Sequence, residues 1–170
     1  MARRYRPRRD SRLVISAVAA GIGLAALSGH HGGTGGAAAL TARAVIPDGS
    51  AYTPASWAAA LLTAAGWPRT SCNLGAITAW EGAEGGNWAN AARFSPLDTT
   101  QREPGSWAMN GAGVQAYTSW AEGFRATLTT LANGSYGAIL AALAAGDSAQ
   151  AVADAVAASP WGTAPFRAGC

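Results

Sequence analysis

Between Gly85 and Thr118 the sequence loses helical periodicity for more than thirty residues, and this gap divides the folded part of the chain into two helical halves. The gap is rich in Asn, Gly, Ser and Thr and is interrupted by Pro96 and Pro104. A connection of that length inside a small domain is usually either functional or disordered. Trp88, Phe94, Trp107 and Tyr117 argue against disorder, because such aromatics anchor a loop and offer flat faces to sugar rings. The segment is therefore expected to wall a cleft. It has room for at most a small sheet or hairpin, around Trp107-Ala108-Met109 and Val114-Gln115-Ala116-Tyr117.

Helix signals flank the gap on both sides. Thr53 before Pro54 resembles a helix start, since Pro fits the first turn where its missing N–H is not needed. Trp57, Leu61, Leu62 and Ala65 then form one apolar face that Gly66 ends. Thr70-Ser71-Cys72-Asn73 supplies caps for a second helix, in which Leu74, Ile77 and Glu81 share an inward stripe. Gly82 weakens its last turn and Gly85-Gly86 permit a left-handed exit, so the helix stops at about Ala83 or Glu84. After the gap, Ser119-Trp120-Ala121-Glu122 is a capping box, which explains Glu122 as a cap and opens a helix to Ala132. A fourth helix runs from Ser135 or Tyr136 to Ala145. Asp147-Ser148 caps a fifth that reaches about Ala158 before Ser159-Pro160. The expected fold class is mainly α, with about five helices around a central helix ending at Glu84.

Glu84 is the residue best placed for chemistry. It stands in Ala79-Trp80-Glu81-Gly82-Ala83-Glu84-Gly85-Gly86-Asn87-Trp88, where two carboxylates meet two indoles at a helix end. A carboxylate there faces the negative end of the helix dipole, which disfavours its ionised form. Desolvation by Trp80 and Trp88 would push the same way. Both effects favour a protonated acid near neutral pH, as proton donation to a glycosidic oxygen requires. Residue chemistry alone leaves open the alternative that Glu81 and Glu84 are solvated side chains at a frayed helix end.

The amino-terminal region reads as an address. Arg3, Arg4, Arg6, Arg8, Arg9 and Arg12 precede the apolar run Leu13–Leu27. At a rise of about 1.5 Å per residue that run covers about 22 Å, short of the ~30 Å hydrocarbon core. Residues 1–44 are expected to be an export signal or signal anchor with a Gly-rich tether, and residues 45–170 the folded domain, with its helices starting near Tyr52. The chain would be secreted or held in the cell envelope, touching membrane only through residues 13–27 if uncleaved.

The net charge of +3 is concentrated in that leader, since residues 13–170 carry six Arg against eight acids. No basic groove is visible, and nucleic acid is not an expected partner. His30-His31 in the tether lack a third ligand, so neither a metal nor a cofactor is expected. With both histidines there, a cysteine nucleophile would have no partner base in the domain. In an exported chain Cys72 and Cys170 suggest a disulfide, although two free thiols remain an alternative.

The string AWEGAEGGNWANAARFSPLDTTQREPGSWAMNGAGVQAYTSWAEGFRATLTTL, followed by Tyr136-Gly137-Ala138-Ile139-Leu140, resembles a lysozyme-like family of phage and bacterial cell-wall proteins over roughly residues 52–163. That family pairs a helix ending in an acidic E-G-G with an N-P-L-N-T-T-like loop and a G-V-x-x-Y segment, and its fold is similar to goose-type lysozymes and lytic transglycosylases. The match puts the family's acid on Glu84, not Glu81. It departs from the family at Ser95 and Asp98, where Asn is commoner.

The resemblance implies an α+β lysozyme-like enzyme that cuts peptidoglycan glycan strands, with Glu84 as general acid and then base; the chain is expected to be a monomer. Candidate substrate contacts are Trp88, Asp98, Thr99, Gln115 and Tyr117; for Gln115 and Tyr117 structural support is an equal reading. Asp98 and Glu103 are candidates for a second acid, whose distance from Glu84 would separate hydrolysis by water from attack by the muramoyl 6-hydroxyl. The competing expectation is a non-catalytic cell-wall-binding or structural module on the same fold.

Overall fold

A computed structural model describes residues 51–170. The export segment, the tether with His30-His31 and the boundary at residue 45 lie outside the described residues. Among the described residues no helix is long and apolar enough to cross a membrane. Five helices and one two-stranded antiparallel sheet follow in the order α1 (Pro54–Ala65), α2 (Ser71–Glu84), β1 (Trp107–Ala108), β2 (Gln115–Ala116), α3 (Trp120–Leu131), α4 (Gly137–Ala145) and α5 (Ala149–Ala157). The fold is mainly α with a small hairpin.

Local chemistry sets the boundaries. Thr53 caps α1 by accepting from the Ser56 amide, with Ser56 returning the bond, and Pro54 occupies the first turn. Thr70 caps α2 through the Asn73 amide, and Gly85 closes it in the left-handed conformation at φ 76°. Ser119 and Ser148 cap α3 and α5 in the same way, and Gly146 ends α4. Glu122 reaches one residue further back than a simple capping box requires, accepting from the Thr118 amide at 2.9 Å and from the Thr118 hydroxyl. These bonds hold its carboxyl below its ordinary range, as a solvated cap.

The core lies where α2 packs against α1 and α5, and α5 against α4. Trp57, Leu61 and Leu62 of α1, Ile77 and Trp80 of α2, and Val152 and Val156 of α5 are fully buried in it. From α3, Phe124 stacks on Trp57 with ring centroids 5.1 Å apart. Asn73 ties α2 to α4 by donating to the Pro68 and Leu143 carbonyls, each at 2.8 Å.

The long connection is ordered by aromatics and by close backbone approaches. Trp88 stacks on Trp120, and Phe94 meets the same indole edge-on. The Phe94 carbonyl lies against Gly123 of α3, and the Ser95 carbonyl against Gly86, at positions where a Cβ would overlap the oxygen. Cys72 and Cys170 are joined in a disulfide, which pins the carboxy-terminal segment to the start of α2.

Candidate functional site

A cavity of about 320 Å³ opens beside the carboxy-terminal end of α2. Glu84 forms part of its wall, and Asp98, Thr99 and Thr100 of the long connection form another. The hairpin contributes Ala112 and Val114, and the last turn of α3 contributes Thr130. Tyr136 and the Pro160-Trp161-Gly162 turn complete the lining.

Glu84 is half-buried because it is the last residue of α2 before the chain turns away at Gly85. Trp80, one turn earlier on the same helix, donates its indole N–H to Glu84 Oε1 at 3.4 Å and to Thr163 Oγ1 at 3.1 Å. The Thr163 hydroxyl also donates to Glu84 Oε1. Both donors converge on one oxygen, so Oε2 is the oxygen available to a molecule in the cavity. Burial raises the Glu84 pKa above its ordinary value, opposed by the bonds from Thr163 and Trp80. A raised carboxyl with one anchored oxygen can hold a proton and present it in a fixed direction.

Asp98 is the second carboxyl in the lining. It sits at φ 49°, a left-handed conformation that Asp tolerates better than most residues, in a turn whose Asp98 amide donates to the Ser95 carbonyl at 2.9 Å. Asn90 Nδ2 donates to Asp98 Oδ2 at 2.9 Å, while the buried Oδ1 has no partner among the described residues. Burial raises its pKa to about 6; the Asn90 bond opposes the shift and the charge of Glu84 adds to it. Both carboxyls line the same cavity.

The remaining sequence candidates separate into lining and support. Thr99 lines the cavity, yet its hydroxyl is engaged with Thr130 Oγ1 at 2.6 Å. Gln115, Tyr117 and Trp88 are not in the lining. Gln115 is buried and bonds Ser106 and the Gly113 carbonyl, holding the hairpin. Tyr117 is fully buried and donates to the Gln101 carbonyl at 2.7 Å, so its role is support. Trp88 gives its N–H to Glu81 Oε2 at 2.9 Å, and its ring packs on Trp120. Glu103 is engaged by Arg125 in an ion pair of 3.0 Å and takes no part in the cavity wall. Of the two candidates for a second acid, the structure brings only Asp98 to Glu84.

Glu81 is the more perturbed acid, but it faces the interior. It is fully buried, its Oε1 has no partner, and burial pushes its pKa up to about 8 against the Trp88 bond. Its place on the inward stripe was visible in the helical spacing. Thr163, Asn90 and the cavity-facing edge of Trp161 were not identified from sequence. Trp161 packs against Trp80 and Tyr136, takes a place in the cavity wall and donates to the Leu97 carbonyl. Thr163 lies 79 residues from Glu84 along the chain, so no local pattern could link the two. No protein-family model, curated protein or solved structure matches this chain.

Proposed function

We propose that this chain is a lysozyme-like enzyme that cleaves the glycan strand of peptidoglycan, with Glu84 as the general acid. The observation that carries the reading is a half-buried carboxyl at a helix end, anchored through one oxygen, in the wall of a cavity that also holds Asp98. Glu84 Oε2 gives its proton to the glycosidic oxygen as the bond from that oxygen to the anomeric carbon breaks, so the leaving sugar departs as a neutral alcohol. The positive charge that develops at the anomeric carbon is countered by Asp98, which with a pKa of about 6 is mostly ionised at neutral pH. The Glu84 carboxylate then takes the proton of the attacking hydroxyl, which belongs to water in a hydrolase and to the muramoyl 6-position in a transglycosylase. The sequence resemblance supplies the substrate class, and the cavity supplies two unlike carboxyls suited to it.

The test is to incubate purified peptidoglycan with the unaltered chain and with Glu84→Gln, and to analyse the released fragments by mass. Glu84→Gln is expected to lose on the order of a hundredfold or more in rate, the size of a general-acid contribution. Anhydro ends in the products assign transglycosylation; reducing ends assign hydrolysis. If the unaltered, folded chain binds the wall and releases no fragments, the protein is a binding module and the catalytic reading falls.

A further inference from the structure

We propose that Trp107 is an outer sugar platform, against which one ring of the glycan strand stacks after it leaves the cavity at Glu84. The inference rests on the glycan-cleaving reading above and extends it to the rim of the site. Trp107 is the large hydrophobic side chain left exposed among the described residues, at 42% of its surface. The register of the hairpin fixes which way it projects. Trp107 pairs with Ala116 and Ala108 with Gln115, and the next rung is marked by the Met109 amide donating to the Val114 carbonyl at 2.7 Å. Side chains opposite one another across a ladder share a face, as do residues two apart along a strand. Trp107, Met109, Val114 and Ala116 therefore lie on one face, and Val114 is in the cavity wall. The indole stands two residues, roughly 7 Å, along the strand from the rung that reaches the cavity.

The occupant follows from size and from isolation. A cavity of about 320 Å³ is at the small end for ligand pockets, which run from ~300 to ~1,000 Å³, whereas a glycan strand is a polymer. Most of such a strand must lie outside the cavity and run over its rim. A protein or membrane partner would call for a contiguous apolar patch, and no second large hydrophobic stands exposed beside Trp107 among the described residues. A single exposed flat aromatic face is matched by the C–H face of one sugar ring.

Glycan strands freed of peptide stems are titrated against the full chain, Trp107→Ala and Trp107→Phe, with affinity read by calorimetry and cleavage by product release. Trp107→Ala is expected to weaken strand binding by about tenfold, as for loss of a stacked-ring contact, while Trp107→Phe keeps most of it. The kinetic signature is a raised KM with kcat little moved, opposite to the kcat loss expected of Glu84→Gln. Thermal melts of the variants matching the unaltered chain tie a loss of affinity to the lost ring. Equal affinity for Trp107→Ala and the unaltered chain overturns the platform while leaving cleavage at Glu84 standing. Absence of any glycan binding by the folded, unaltered chain overturns the platform and the glycan-cleaving reading together.

Discussion

At the scale of single residues, the site depends on two glutamates one helical turn apart that have been given different surroundings. Glu84 meets a cavity and two donors; Glu81 meets the interior and one. The cost of that arrangement sits on Glu81, whose carboxyl is fully buried with one oxygen unbonded. Its pKa is raised from 4.5 to about 8 by burial, so the folded state prefers the protonated form. Stability is therefore fully present below about pH 4.5 and is lost progressively as pH rises through about 8. At about 1.4 kcal/mol per unit, ionising this group in the folded state costs on the order of 5 kcal/mol. Glu81→Gln keeps an acceptor for the Trp88 N–H and removes the titration. We expect its stability, measured by denaturant unfolding, to match the unaltered chain near pH 5 and to exceed it by a few kcal/mol at pH 9. A difference independent of pH would show that Glu81 is not buried as described.

At the scale of elements, the joint between α2 and the long connection depends on Gly86. The Ser95 carbonyl and Asp98 Oδ1 approach so closely that a Cβ on residue 86 would overlap both, and both belong to the turn that presents Asp98 to the cavity. The obstacle includes backbone, which cannot rotate away as a side chain can. Gly86→Ala is expected to destabilise the domain by about 1–3 kcal/mol, the ordinary cost of overpacking, and to lower activity by displacing Asp98. Gly82→Ala, with open space around its Cβ on an exposed helical turn, is the control and should be neutral or slightly stabilising. Thermal melts of the two variants separate these outcomes. The elements themselves were legible in the sequence because their signals are local: Thr53-Pro54, Thr70, Ser119 and Ser148 cap where hydroxyl side chains cap helices, and Gly66, Gly85 and Gly146 end them. The place of Glu84 as the last residue of α2 was legible for the same reason. Gly86 was read as part of a left-handed helix exit, and its packing against Ser95 was not visible because that contact forms only when the connection folds back on the helix. Trp88, Gln115 and Tyr117 were offered as substrate contacts on residue type and resemblance, and neither could tell an aromatic or amide that faces a cavity from one that props up the wall.

At the scale of the whole molecule, α2, the helix that ends at Glu84, is held at both ends by the carboxy-terminal segment. Near its start, Cys170 is bonded to Cys72 and the Gly169 carbonyl lies against Gly75 where no side chain intervenes. At its end, Thr163 and Trp161 of the same segment meet Glu84 and the cavity. Between these points Gln150 of α5 clasps the segment, donating to the Phe166 carbonyl at 3.4 Å and accepting from the Ala168 amide at 3.2 Å. Phe166 and Ala168 also pack partly buried against the core, so the disulfide is one of several restraints on the segment that positions the donor to Glu84. Closing a loop of 98 residues contributes about 4–5 kcal/mol in the chain-entropy account, and native disulfides commonly deliver about 2–5. Replacing both cysteines by Ala is expected to lower unfolding free energy within that range. The consequence for the site is separable from the loss of stability. A loosened Thr163 donates less to Glu84, and because that bond lowers the Glu84 pKa, its loss raises it further. The alkaline limb of the pH–rate profile, set by the group that must stay protonated, should then move to higher pH at temperatures where the variant is still folded, and Thr163→Val should reproduce the shift with the disulfide intact. If the double-Ala variant loses stability and keeps the unaltered profile, the Gln150 clasp and the core contacts of Trp161, Phe166 and Ala168 hold Thr163 in place, and the disulfide serves the fold without serving the acid.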